Sequence, residues 1–343
     1  MTWRLGRRGL TRAIAVAAVA PSLWLPRRAR AEIAGDTEIR SIEADELGWT
    51  IILGMRNGPY PYAGAKWTDD STLVFVPRHY RAREGDGLDV LVHFHGHGTH
   101  ARKTVAEKQL REQFHAGEQN AILVVPQGPV DANDGRFGKL DEVGGLNRFL
   151  RELRPALQRA EVADALGEAA IGSDARVGVT ALSAHSGGYR VAAKCVTHGG
   201  WSVNELYLFD ALYGAREEFR NWVLARRDES APRRRHKLMA WYGVKEVAWQ
   251  CQRLRMELAQ DGIHCRHERD DRHLVDAAMV HARVAFIRAH VGHREVMHKA
   301  NALRDCLTWS CFRRIDVPAD PAAAGKPVAA ATATGDTPAD GPR

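Results

Sequence analysis

The sequence predicts an α/β fold with a doubly wound, mainly parallel sheet. Short apolar runs of β-prone residues alternate with amphipathic stretches along most of the 343 residues, and this alternation is typical of strands joined by crossover helices. The run 120–126 is apolar throughout, as expected of a central strand covered on both faces. Several predicted strands end in chemically reactive side chains, and the carboxyl ends of parallel strands meet at one edge of a sheet.

The individual elements follow from hydrophobic periodicity. The predicted strands are 49–53, 71–77, 89–94, 120–126, 177–183, 205–210 and 237–242. The predicted helices are 101–116, 146–160, 189–196, 215–227 and 245–258. Segment 283–288 fits a last strand, although its periodicity also allows a helix, and His293 is expected to open a final helical stretch towards Leu307. Residues 32–57 are expected to form an extension and a first strand.

The amino terminus is typical of an export signal. Residues 1–31 hold seven of the 49 basic residues and none of the 42 acidic ones, an apolar run at 13–25 and a small-x-small site at Ala29–Ala31. The pair Arg7-Arg8 resembles a twin-arginine signal, so we expect a periplasmic or secreted protein whose mature chain is not inserted in a membrane. The remaining chain carries 42 basic and 42 acidic residues, which removes the electrostatic basis for binding nucleic acid.

Composition divides the rest of the chain into two parts. Residues 32–315 are expected to form one domain, and 316–343 are rich in Ala, Pro, Gly and Thr and are expected to be disordered. The triplet 233–235 is three arginines, which we interpret as a solvated loop. The five cysteines show no Cys-x-x-Cys spacing, so we expect buried thiols, with one disulfide in the carboxy-terminal half as the alternative.

The stretch from Val177 to Arg190 is the most informative motif. A β-prone run ends in Ala184-His185-Ser186-Gly187-Gly188, and helical periodicity follows. A nucleophile elbow needs small residues two before and two after its serine, because the strand and helix backbones are crowded there. Ala184 and Gly188 meet that requirement, whereas a plain strand-to-helix turn is the simpler alternative.

A second motif follows the strand 89–94. The sequence His95-Gly96-His97-Gly98 precedes a helix, and glycine allows backbone amides to approach a substrate. Further along the chain, Asp210 ends one predicted strand and His293 follows another. The order serine, aspartate, histidine is the order of the α/β-hydrolase triad.

On these motifs the chain from about residue 50 to 311 resembles the α/β-hydrolase superfamily, in particular secreted esterases of the polyhydroxybutyrate depolymerase and feruloyl esterase type. It is also similar to uncharacterised exported bacterial proteins that carry segments like 124–129 and 207–214, a resemblance that implies no substrate. The resemblance implies a serine hydrolase, most simply one that cleaves a small or polymeric carboxylic ester, without a cofactor.

The residues can take the corresponding roles. Ser186 would attack a carbonyl carbon, His293 would take its proton and Asp210 would orient the imidazole. The oxyanion would be held by backbone N–H groups of the elbow and of the His-Gly loop, which we assign to Gly187, Gly96 and His97. The side chains expected to line the substrate site are His185, His95 and Gln127. Segment 127–145 is expected to overhang the site.

Alternatives remain open for both partners of the serine. Glu246, Asp270 and Asp271 are other candidates for the acid, and His290 and His273 for the base. Four histidines in eight residues could instead bind a metal ion, which would make the chain a metal-dependent hydrolase; these are His93, His95, His97 and His100. A catalytically silent hydrolase fold that serves as a binding protein of the cell envelope is the non-enzymatic alternative.

Overall fold

The computed structural model describes residues 37–82, 87–229 and 236–315. The expected export signal, the carboxy-terminal tail and the triple-arginine loop lie outside these ranges. Among the described residues, no helix is both long and apolar enough to cross a lipid bilayer.

A ten-stranded sheet forms the centre of the described part of the chain. Its strands are β1 Glu38–Ala44, β2 Gly48–Gly54, β3 Ser71–Pro77, β4 Leu88–Phe94, β5 Ala121–Pro126, β6 Val177–His185, β7 Glu205–Phe209, β8 Lys237–Tyr242, β9 Arg266–Glu268 and β10 Val284–Arg288. The order across the sheet is β1-β2-β3-β5-β4-β6-β7-β8-β10-β9. The three pairings from β1 to β5 are antiparallel, and all others are parallel. The predicted α/β class with a mainly parallel sheet is therefore confirmed.

Helices cover both faces of this sheet. They are α1 Ala101–Glu107, α2 Leu110–Ala116, α3 Gly145–Leu157, α4 Ala160–Leu166, α5 Tyr189–His198, α6 Arg216–Leu224, α7 Lys245–Gln260, α8 Asp276–His281 and α9 Ala302–Thr308. Alternate side chains of a strand point to opposite faces, so β4 sends Val90 and Val92 into one apolar layer and Leu91 into the other. Both layers are fully buried, which leaves the ends of the strands as the place for polar chemistry.

Three predicted elements were wrong in detail. The first strand is a hairpin of β1 and β2, because Asp45 Oδ1 accepts from the N–H groups of Leu47 and Gly48 and closes a turn. The helix 101–116 is two helices, broken where Gln109 takes a φ of +51°. The side chain of Gln113 donates to the carbonyl of Lys108 at this break.

The predicted start of the last helix, at His293, was also wrong. Residues 293–300 form turns, and α9 begins only at Ala302, after Asn301 takes a φ of +52°. The ambiguous segment 283–288 is a strand, paired with β8 and β9. All five cysteines are free thiols, so the alternative of a disulfide was wrong.

Candidate active site

Ser186 lies at a sharp turn between β6 and α5. β6 ends at His185, and Ser186 has a φ of +52°, a left-handed conformation that a non-glycine residue rarely adopts. A Cβ atom at Gly188 would lie 2.6 Å from the carbonyl oxygen of Phe94. The crowding explains why small residues flank the serine, and such strained turns occur at functional sites.

The His-Gly loop after β4 packs directly against this serine. A Cβ atom at Gly96 would lie 2.8 Å from Ser186 Cβ and 3.1 Å from the His185 carbonyl oxygen. The His97 ring lies over Gly187, where an added Cβ would come within 2.2 Å of Nε2. Gly187 is in the first helical turn, whose N–H groups have no partner within the helix. By contrast, the N–H group of Gly98 already donates to Ala132 O.

The close approach of Gly96 gives a direct test of the loop. We expect Gly96→Ala to lower kcat/KM for an ester by about 100-fold, because a shift of about 1 Å at the reacting atoms has an effect of this size. The matched control is Gly172→Ala, ahead of β6, where an added Cβ would meet the side-chain oxygen of Asp174 at 3.2 Å and no backbone atom within 4 Å. Ester hydrolysis and thermal unfolding should be measured for both variants; equal activities would contradict the account of the loop.

His293 is the histidine that reaches Ser186. Its Nε2 lies 3.0 Å from Ser186 Oγ, and its Nδ1 lies 3.3 Å from Asp210 Oδ2. The His293 side chain is 29% exposed, whereas that of Asp210 is fully buried. Because an ionised carboxylate only accepts hydrogen bonds, we assign the proton of the neutral ring to Nδ1, which leaves the lone pair of Nε2 facing the serine.

Asp210 is fixed by the turn after β8. It has a φ of +44°, and its backbone N–H donates to Trp241 O. The N–H groups of Gly243 and Val244 donate to Asp210 Oδ1 over 2.8 and 3.4 Å, which leaves Oδ2 for His293. The neighbouring strand thus orients the acid through its backbone, and sequence reasoning missed both amides.

The other candidates for acid and base lie elsewhere. Glu246 is exposed in the first turn of α7. His290 Nδ1 lies 2.7 Å from Asp271 Oδ1, so these two form a separate pair. Asp270 binds Arg272, and the His273 side chain is 80% exposed. The structure therefore brings Ser186, His293 and Asp210 together and none of the alternatives.

His95 and Gln127 are corrected as substrate contacts. His95 is 1% exposed; its Nε2 accepts from Gly128 N–H at 3.0 Å, and its Nδ1 lies 2.9 Å from Gly96 O. Burial lowers the pKa of His95 to about 4, so the ring is neutral and its Nδ1–H donates to Gly96. The Gln127 amide accepts from Ala101 N–H and donates to Gly128 O. Both side chains brace the Gly96 loop from inside the protein.

His185 is likewise corrected as a substrate contact. It is 7% exposed, and its ring stacks on that of His293 with 4.8 Å between the centroids. Its Nε2 lies 3.0 Å from the His293 carbonyl oxygen. Burial lowers the pKa of His185 to about 3, so the neutral ring donates this hydrogen bond. His185 therefore positions the loop that carries His293.

The four histidines of the proposed metal cluster point in different directions. His93 Nδ1 lies 2.8 Å from Ser183 Oγ in the sheet interior, and His95 faces Gly128. His97 covers Gly187, and His100 caps α1. In the described part of the chain, no three His, Cys, Asp or Glu side chains are grouped so that they could hold a metal ion. These four histidines therefore do not form one ligand set.

Because three buried histidines resist protonation in the folded chain, we expect its stability to fall at acid pH. Burial lowers the pKa of His93, His95 and His185 from the usual 6.5. As the pH falls, these histidines are protonated in the unfolded chain before they are protonated in the folded chain. Their contribution to the free energy of unfolding is therefore fully present above about pH 6.5 and is lost as the pH drops towards 4. For His95 alone this loss is on the order of 3 kcal/mol.

Urea unfolding at several pH values between 8 and 4 measures this effect. A free energy of unfolding that stays constant from pH 7 to 4.5 would contradict the assignment of neutral buried rings.

Two further features border the serine. Segment 127–145 does approach it, since a Cβ atom at Gly135 would lie 2.5 Å from Gly187 O. The Tyr213 hydroxyl lies 3.4 Å from His293 Nδ1, and burial raises the pKa of this phenol to about 12. Sequence reasoning missed Tyr213, although its position three residues after Asp210 was an available signal.

No protein-family model matches the chain, and no curated protein matches it. Three solved structures illustrate what its fold is similar to. A ferulic acid esterase is 13% identical, with 80% of this chain and 97% of that chain covered and a TM-score of 0.43. An S-formylglutathione hydrolase from Agrobacterium tumefaciens is 10% identical, with 80% and 98% covered and a TM-score of 0.43.

The fluorophosphonate-binding serine hydrolase F of Staphylococcus aureus is 12% identical, with 76% and 98% covered and a TM-score of 0.44. At these identities and scores the likeness has no bearing on activity. The chemistry of this chain is therefore inferred from its own residues.

Proposed function

We propose that this chain is a serine hydrolase that cleaves a carboxylic ester through an acyl-serine intermediate. The observation that carries the proposal is the contact of 3.0 Å between Ser186 Oγ and His293 Nε2, with Asp210 behind the ring. A serine hydroxyl is a weak nucleophile and needs a base within hydrogen-bond reach. The ester class is proposed because the elbow and the His-Gly loop resemble those of esterases.

In the first half of the reaction, Ser186 Oγ bonds to the carbonyl carbon while its proton passes to His293 Nε2. The resulting imidazolium is stabilised by the buried carboxylate of Asp210. The tetrahedral oxyanion then collapses, the bond to the alcohol oxygen breaks, and Nε2 gives its proton to the leaving alcohol. The acyl group stays on Ser186.

The second half repeats these steps with water. His293 takes a proton from water, whose oxygen attacks the acyl carbon, and returns that proton to Ser186 Oγ as the acid departs. Throughout, the N–H group of Gly187 and an amide of the Gly96–His97 loop would hold the oxyanion. One such donor contributes about 3 kcal/mol to lowering the barrier.

Hydrolysis of 4-nitrophenyl acetate, butyrate and octanoate by the purified chain tests this function. We expect turnover that EDTA leaves unchanged and that a fluorophosphonate abolishes. Loss of turnover with EDTA alone would support the metal-dependent alternative. Absence of both turnover and fluorophosphonate labelling would support a catalytically silent binding protein.

We further propose that the protein acts outside the cytoplasm. The support is the composition of residues 1–31, with Arg7 and Arg8 ahead of an apolar run and a small-x-small site. Fractionation of cells that express the full chain tests this proposal. Arg7→Lys/Arg8→Lys should retain the precursor inside the cell, and unchanged export would contradict the twin-arginine assignment.

A further inference from the structure

A cavity lies at the same edge of the sheet as Ser186, between α7 and the ends of β8 and β10. It has a volume of about 500 Å³, which is in the range of small-molecule sites. Tyr242, the last residue of β8, pairs in register with Arg288 of β10, and both line the cavity. Gly243 also lines it and donates its N–H to Asp210, so the cavity and the serine centre share this turn as a wall.

The rim of the cavity is positively charged. Lys245, Arg255 and Arg288 all line it, and within the described residues none of them has an ion-pair or side-chain hydrogen-bond partner. The acidic residues nearby are engaged elsewhere or lie outside the lining: Glu268 pairs with Arg266, the buried Asp210 faces His293, and Glu246 does not line the cavity. Three cations without counter-charges around one opening attract an anion.

The inner surface of the cavity is aromatic. Phe286 and Tyr242 are buried at its base, and Trp249 and His267 also line it. The Tyr242 and His267 rings are nearly parallel, at an interplanar angle of 17° and with 6.4 Å between their centroids. They meet end to end, because the Tyr242 hydroxyl lies 2.8 Å from His267 Nε2. Trp249 is 53% exposed, which is unusual for so large an apolar group. The Arg253 guanidinium lies over one face of its ring, 5.4 Å from the centroid, so the opposite face is the one that could cover a ligand.

We propose that this cavity binds a planar organic anion, namely a carboxylate attached to a flat apolar body. The apolar body stacks among Trp249, Tyr242 and Phe286. The carboxylate accepts from the guanidinium groups of Arg255 and Arg288, whose planar donors match its two oxygens. This proposal does not rest on the proposed hydrolysis, because none of these side chains hydrogen-bonds to Ser186 or His293 in the described structure.

Isothermal titration of the full chain with 2-naphthoate tests the proposal, with neutral 2-naphthamide as the ligand of matched shape. We expect 2-naphthoate to bind with a dissociation constant at least about tenfold lower than that of the amide, since hydrogen bonds to charged groups are the stronger ones. Arg255→Gln/Arg288→Gln should weaken binding of the carboxylate at least tenfold and leave the amide unchanged. Trp249→Ala should weaken both ligands.

Arg151→Gln is the control, because Arg151 is an exposed arginine of α3 whose one side-chain hydrogen bond among the described residues is to the neutral Asn147. It should bind both ligands as the parent does, and matching thermal unfolding curves establish that the variants are folded. The proposal is overturned if the parent binds neither ligand or binds both equally. It is also overturned if the double variant binds 2-naphthoate like the parent, or if inorganic phosphate binds as tightly as 2-naphthoate.

Discussion

Ser186→Ala is expected to lower kcat for ester hydrolysis by about four to six orders of magnitude, because removal of a nucleophile leaves only the oxyanion donors and binding to act on the substrate. The Ser186 side chain makes one hydrogen bond in the structure, to His293, so stability should change little. Initial rates with 4-nitrophenyl butyrate measure the effect.

The exposed Ser202 offers the matched control. Ser202→Ala should keep the rate of the parent within about twofold, as is usual for a surface substitution. If Ser186→Ala retained more than a few per cent of the parent's rate, an acyl-serine at this position would be excluded.

Asp210→Asn is expected to lower kcat by about 10³- to 10⁴-fold while the chain remains folded. An amide nitrogen at Oδ2 would donate to His293 Nδ1, and the ring would then carry its proton on Nε2, facing Ser186. At Oδ1 an amide oxygen can still accept from the N–H of Gly243, so the turn is retained. The loss should be in kcat, measured by initial rates over a range of ester concentrations.

The chain contains its own control for this prediction. Asp271 and His290 form a second acid–histidine pair of similar geometry, with 2.7 Å between Oδ1 and Nδ1, and the Asp271 side chain is 2% exposed. Asp271→Asn removes the same charge but leaves Ser186, His293 and Asp210 untouched. Comparable losses of kcat in the two variants would contradict the assignment of Asp210.

The contrast between these two pairs explains how much of the site the sequence could predict. The serine turn is encoded locally, because Ala184 and Gly188 are needed wherever a strand and a helix crowd together at a serine. The choice between His290 and His293 is not local, since both follow β10 within five residues. Which histidine reaches Asp210 depends on the turn at Gly243. This turn holds Asp210 through a backbone N–H and packs against the loop after β10, where a Cβ added to Gly243 would lie 2.6 Å from Val291 O.

The errors have a common physical origin. His95 was expected at the substrate because it precedes Gly96, and Gln127 because it begins segment 127–145, which was expected to overhang the site. Contacts to Gly128 and Ala101 instead turn both side chains inward. The helix expected to begin at His293 does not form there. Residues 293–300 are turns instead, and the His293 ring is hydrogen-bonded to Ser186 and Asp210. In each case a long-range contact overrode a local preference. By contrast, the central strands were predicted well, because each is a continuous run of apolar, β-prone residues that is buried along its whole length.

Fluorophosphonate labelling followed by peptide mass mapping tests whether Ser186 is an activated nucleophile. We expect one modified residue, Ser186, in the parent chain. We also expect labelling to slow by about 100-fold or more in His293→Ala, since general-base assistance is worth about 10² to 10⁴ in rate. Labelling of the parent at another residue, or equal labelling of Ser186→Ala, would contradict the claim.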